Sequence, residues 1–165
     1  MGGNHQHESR SGLTRLGDVV YGADDQIATW VGRSIPGYFP SAGAKALGVI
    51  KGGELVAGVV YERCNGVHCE VSITARRRSQ WADRRTLFAL FDYPFGQLGC
   101  EALTVTVPLT NLRSLNLATK LGFERIAIIP YAAHDGSALV VLQMYQDTCK
   151  WIGRHGKRQQ STSGT

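Results

Sequence analysis

The chain has 165 residues, 43% of them hydrophobic and 19% charged, and carries a net charge of +5. That length and apolar content fit one domain with a real core and exclude a disordered chain or a coiled coil, and no apolar run approaches a membrane span. A soluble domain is the expectation.

The first twelve residues are polar and glycine-rich, lack the apolar stretch of an export signal, and place Gln6 where a myristoylation signal has Ser or Thr. The expected organisation is a flexible tail over 1–12, one domain over 13–152, and a flexible basic tail over 153–165, in the cytoplasm. The four cysteines, Cys64, Cys69, Cys100 and Cys149, show no metal-ligand spacing. Their apolar neighbours suggest reduced, packed thiols, with a Cys64–Cys69 bridge across a turn as the alternative.

Asp24 or Asp25 is placed to cap a first helix in which Ile27, Trp30 and Val31 share a face, and the segment from Ile35 to Pro40 cannot continue it. Strands are expected over Ala46–Ile50 and Leu55–Arg63. The Asn65-Gly66 turn then leads into a third strand, Val67–Ala75, making an antiparallel meander. In that strand Val67, Cys69, Val71 and Ile73 fall on one face and His68, Glu70, Ser72 and Thr74 on the other. A helix over about 84–98 carries Leu87, Leu90, Phe91, Phe95 and Leu98 on one stripe and stops at Gly99, with Pro94 bending its last turn. Glu101–Val107 alternates apolar and hydroxyl side chains as a half-buried strand does, and Pro108 ends it. A closing hairpin is expected from Arg125–Ala133 and Ala138–Tyr145 around His134-Asp135-Gly136.

Between that strand and the hairpin lies the most informative run, Asn111 to Glu124. Asn111 is a good N-cap, Leu112, Leu115, Ala118 and Leu121 recur at three-residue steps, Lys120 sits in the last turn, and Gly122 suits the left-handed position after it. With Phe123, this run resembles the strand, helix and Gly-Phe signature near the end of the GNAT superfamily of acyl-CoA-dependent N-acetyltransferases. The spacing of Asn111, Ser114, Lys120, Gly122 and Phe123 is similar to that of the branch holding ribosomal-protein N-terminal acetyltransferases. The resemblance covers about residues 13–148. It implies one α/β (α+β) domain whose mixed, mostly antiparallel central sheet is flanked by helices.

It also implies acetyl transfer from acetyl-CoA, as co-substrate, to an amine on a protein or small molecule, with no metal. The strands Val67–Ala75 and Ala102–Val107 would splay to admit the pantetheine arm, and the turn Arg76–Arg84 would hold the pyrophosphate on backbone amides at a helix N-terminus. By that likeness Ile73, Arg78, Ser79, Trp81, Ala82, Arg84, Asn111 and Ser114 are the candidate cofactor contacts. The sequence departs from the family here, because Ser79, Trp81 and Asp83 stand where glycine or another small residue is expected. Compensation by Arg76, Arg77, Arg78, Arg84 and Arg85 is one reading of the arginine cluster, and a plain exposed loop is the other.

Amine attack on a thioester needs a base, an oxyanion donor and a proton for the leaving thiolate. Glu70, on the polar face of the third strand, is the candidate base, with His68 second. Family members often carry a Tyr acid where this chain has Ala118, so Tyr131 or Ser114 is the candidate acid. Asn111 serves either as helix cap or as cofactor contact. Tyr38 and Phe39 lie where the family builds its acceptor wall. The competing reading is a GNAT-shaped binding module without acyl-CoA activity, which takes nucleic acid on its arginine loop.

Overall fold

The computed structural model describes residues 14–153. The tails expected over 1–12 and 153–165 therefore lie, apart from residue 153, outside the described residues. The strands are β1 (Thr14–Leu16), β2 (Val19–Tyr21), β3 (Lys45–Lys51), β4 (Glu54–Glu62), β5 (His68–Ala75), β6 (Ala102–Pro108), β7 (Glu124–Ile129) and β8 (Leu139–Tyr145). The helices are α1 (Asp24–Ser34), α2 (Arg84–Asp92) and α3 (Leu112–Leu121). All strands join one sheet in the order β1-β2-β3-β4-β5-β6-β8-β7. Every neighbouring pair is antiparallel except β5 and β6. This is the mixed, mostly antiparallel α/β architecture expected.

Alternation along the strands sorts the core into two layers. Ala46 and Val60 pack with Ile27, Ala28 and Val31 of α1. Their neighbours Leu47, Val59 and Tyr61 face the larger core with Leu87 and Leu90 of α2 and Leu115 of α3. The cross-strand pair Gly48 and Gly58 lets α1 sit close to the sheet. A Cβ on Gly58 would stand 2.7 Å from Val31 Cγ2, and one on Gly48 would stand 2.8 Å from Leu55 Cδ1.

The structure departs from the sequence expectation at several elements. Strands β1 and β2 have three residues each, too few to show a period. Asp24 does not cap α1; its Oδ1 accepts from the Ala46 amide at 2.8 Å and so ties the helix start to β3. The long helix stops being α-helical at Asp92, and Tyr93–Gln97 forms a π-helical turn. Pro94 has no N–H for the carbonyl of Leu90, and the Tyr61 hydroxyl donates to that carbonyl at 2.6 Å instead.

Cys64 and Cys69 form a disulfide, which corrects the expectation of four reduced thiols, while Cys100 and Cys149 are buried free cysteines. The cause is local. Asn65 Oδ1 accepts from the amides of Val67 and His68, and the tight turn brings the Cα atoms of the two cysteines to 4.2 Å.

Around α3 the sequence reading holds closely. Asn111 Oδ1 accepts from the Ser114 amide at 3.1 Å, and Gly122 takes φ of 111° at the C-terminus. The last carbonyls of this helix are covered by Lys150 Nζ, donating to Lys120 O, and by Trp151 Nε1, donating to Leu121 O at 2.7 Å.

Candidate active site

The parallel pairing of β5 with β6 lasts only three registers, His68 with Ala102, Cys69 with Leu103 and Glu70 with Thr104. Beyond them β5 stays bonded to β4, and β6 to β8, but not to each other. The two strands part at Glu70 and Thr104, β6 runs on beside β8 as far as Pro108, and the chain then turns into α3. The fork opens a cleft of about 370 Å³, lined on its edges by Val71–Ala75 and Val105–Pro108. Ribbons of extended backbone facing a cleft offer N–H and C=O groups to an amide-containing ligand.

The α3 side of the cleft is lined by Asn111, Arg113, Ser114 and Leu117. Arg113 reaches across the mouth, donating from Nη2 to Ala75 O at 3.1 Å. On the α1 side the lining passes to Tyr38 and to His134. Gly37 lies so near His134 that an added Cβ would be 2.5 Å from that ring's Cβ and Cγ. The segment after α1 and the loop between β7 and β8 thus close over the fork together.

Next to the fork lies a polar cluster built from strand positions on the α1 face. Glu62, at the end of β4, is buried, with its carboxylate accepting from the Tyr38 hydroxyl and from the Ser41 hydroxyl at 2.5 Å. Burial pushes the Glu62 carboxyl up, but the hydrogen bonds from Ser41 and Tyr38 outweigh it and hold the group below its ordinary value. Burial, and then the bond to Glu62, push the Tyr38 hydroxyl well above the ordinary tyrosine value, so it stays a protonated donor. Arg63 bridges Glu62 to Glu70. His68 Nε2 stands 2.5 Å from Thr104 Oγ1, and Gln143 Nε2 donates to that oxygen at 3.1 Å.

The structure brings some expected site residues together and sets others apart. Ile73, Asn111 and Ser114 line the cleft. Glu70 sits at the last paired register, one residue before the fork, with Arg63 as its partner. Tyr131 is 89% exposed and outside the lining, and Phe39 is 87% exposed beside the inward-facing Tyr38. Arg78, Ser79, Ala82 and Arg84 lie on the loop and helix start beyond Ala75, outside the lining. Trp81 is buried in the larger core near Val71, Ile73 and Leu87, so its indole faces away from solvent and toward the helices. Glu62, Arg113 and His134 were not singled out by sequence. Arg113 alone carried a signal, being inside the Asn111–Ser114 run; Glu62 and His134 gain meaning only from loops folding over the sheet.

Asn111 offers a first test. Replacing it with Ala removes the N-cap and is expected to cost about 1 kcal/mol of stability, whereas Asn111→Ser keeps a capping oxygen and restores most of it. Thermal melts of both variants check the cap, and a loss of ligand affinity in the Ser variant at restored stability would identify Asn111 as a ligand contact as well.

The loop carrying His134 is pinned through Asp135, which accepts from the Ser137 amide at 2.9 Å, the Ser137 hydroxyl at 2.5 Å and Thr110 Oγ1 at 2.7 Å. The Ser137 hydroxyl and amide, followed by Thr110, lower the Asp135 carboxyl from its usual 3.8 to about 2. A folded pKa below the unfolded one means that the ionised form favours the folded loop. That contribution is present above pH 3.8 and is lost as the pH falls toward about 2. Amide exchange at Ser137 is expected to accelerate across this window in the wild type and to show no such step in Asp135→Asn.

No profile of a known protein family matches the chain, and no curated protein does. Solved structures do. The ribosomal-protein-S5-alanine acetyltransferase of Vibrio fischeri superposes with a TM-score of 0.61 at 10% identity, covering 84% of this chain and 99% of that one. Mutant forms of the spermidine/spermine N-acetyltransferase SpeG of Vibrio cholerae give 0.57 at 16% identity, over 80% of this chain and 81% of that one. A GNAT family acetyltransferase of Elizabethkingia anophelis, solved with acetyl-CoA bound, gives 0.51 at 14% identity, over 62% and 76% of the two chains. With one sheet forked between its parallel pair and a capped helix beside the fork, the chain has the fold of the GNAT acetyltransferases.

Proposed function

We propose that this chain transfers an acetyl group from a pantetheine thioester, of which acetyl-CoA is the simplest, to an amine. The observation that carries the reading is the fork. The facing edges of β5 and β6 are not paired with each other along a cleft of about 370 Å³ that passes between α3 on one side and the polar cluster of Tyr38, Glu62 and Glu70 near the other. A pantetheine arm contains two amides, which are suited to pair with such edges as a short added strand. The thioester then reaches the end of the fork, and the amine arrives from the α1 side.

Glu70 stands at the fork and takes the amine proton, directly or through one water. Arg63 holds its carboxylate in place, and the Tyr38 hydroxyl is a fixed donor beside the acceptor route. Ser114 lines the α3 side, where a hydroxyl can return a proton to the departing thiolate. The solved GNAT structure with acetyl-CoA bound supports this donor class, and the spermidine/spermine N-acetyltransferase supports an amine acceptor. The arginine loop leaves nucleic-acid binding as the competing reading, which the cleft does not require.

A thermal-shift titration tests the proposal. A ligand that binds only the folded state stabilises it by about 2.7 kcal/mol at one hundred times its Kd. Acetyl-CoA is expected to raise Tm in a concentration-dependent way, and adenosine diphosphate, which lacks the arm, is expected to do far less. No shift at millimolar acetyl-CoA, acetyl-pantetheine or any other pantetheine thioester would remove the enzymatic reading.

A further inference from the structure

The cleft offers two strand edges to the pantetheine arm proposed above, but the turn beyond it offers no free helix N-terminus to a pyrophosphate. The lining ends at Ala75, and none of residues 76–84 belongs to it. The N-terminus of α2, where a pyrophosphate would collect amides, already holds a carboxylate. Asp83 Oδ1 accepts from the Thr86 amide at 2.9 Å, and Oδ2 lies 3.0 Å from Lys51 Nζ, which is itself 2.6 Å from Asp18. A pyrophosphate on this turn must displace that carboxylate or lie against it, and either is unfavourable. The turn has little freedom to rearrange. Trp81 anchors it in the core, and Arg78 already occupies φ of 58°, where glycine is otherwise preferred.

The exit of the cleft is nonetheless cationic. Arg113 spans the mouth to Ala75 O; the next residue, Arg76, is paired with Glu54, and the exposed Arg77 and Arg78 after it make no salt bridge to any described residue. These guanidinium groups stand on the surface, arranged to meet an acidic surface as much as a single phosphate. The free edge of β5 from Val71 to Ala75 spans roughly 13 Å at 3.3 Å per residue, a length suited to an arm that continues outward.

We infer that the donor arm is presented by an acidic carrier protein, as an acyl-phosphopantetheine, in preference to free acyl-CoA. The inference rests on the acyl-transfer reading and names its donor. The carrier supplies what the turn lacks. Its single phosphodiester leaves the cleft beside Arg113, and its acidic surface meets Arg77 and Arg78, so no pyrophosphate has to enter the site held by Asp83. In the reaction the amine nitrogen bonds to the acyl carbon and the C–S bond breaks. The proton lost by the amine ends on the pantetheine sulfur, which leaves an amide and the free carrier thiol.

Calorimetric titration of the full chain with acetyl-CoA, acetyl-pantetheine and an acidic acyl carrier protein loaded with acetyl-phosphopantetheine decides the matter. The loaded carrier is expected to bind at least about tenfold more tightly than acetyl-CoA at low salt, with an advantage that shrinks at high salt. Arg77→Glu should weaken the carrier by about tenfold, and Asp83→Asn, which keeps the cap but removes its charge, should tighten acetyl-CoA. Acetyl-CoA binding as tightly as the loaded carrier overturns this inference and leaves the acyl-transfer reading intact. Binding of none of the three probes overturns both. Salt-sensitive binding to duplex DNA that the loaded carrier fails to displace also overturns it, by assigning the arginines to nucleic acid.

Discussion

Glu70→Gln is expected to lower turnover by about 10²- to 10⁴-fold while leaving donor affinity within a small factor of wild type. In barrier terms that is about 3 to 5 kcal/mol. Gln keeps the shape and can still accept from Arg63, so the hairpin that holds the residue has no reason to move. The loss comes from basicity alone. Single-turnover kinetics with a preloaded donor separates the two quantities, and an unchanged rate would reduce Glu70 to a partner of Arg63 and transfer the role of base to His68 or Glu62. Glu62 is the weaker substitute, because its lone pairs are already committed to Tyr38 and Ser41.

The other large effect is structural. Tyr61 is 2% exposed and fills the core between β4 and α2, so Tyr61→Ala is expected to cost about 3 to 5 kcal/mol, a large part of the stability of a domain this size. Tyr61→Phe isolates the hydroxyl. It leaves the Leu90 carbonyl, already deprived of a helical donor by Pro94, without its partner, for about 1 to 3 kcal/mol. Denaturant melts of both variants measure the shares, and equal melts for wild type and Phe would show that water replaces the hydroxyl.

That pair of residues also shows where sequence reading ends. Pro94 announces a disturbance in the helix from its own covalent structure, but the remedy comes from a tyrosine on another element, which no local pattern reveals. The run from Asn111 to Gly122 was legible because caps act over three or four residues and leave their signature in that window. The face assignment of β5 was legible for the same kind of reason, since alternation is a property of the strand itself. The fork is different. Nothing in Val71–Ala75 or Val105–Val107 states that the two strands part company; the fold supplied that expectation, through likeness to a family. Asp24 was misleading locally, a plausible cap that bonds β3 instead, and the burial of Trp81 is a tertiary fact that its place in a loop does not announce.

The near contact of Gly37 with His134 has a consequence for how this scaffold can change. The two loops over the α1 side of the cleft come from distant parts of the chain, yet one missing methyl group sets their clearance. Neither can therefore be lengthened, exchanged or given a bulkier residue at that point while the other stays as it is. Anyone recombining this domain with a relative would have to move both loops as a unit, or see the graft fail where the two loops meet.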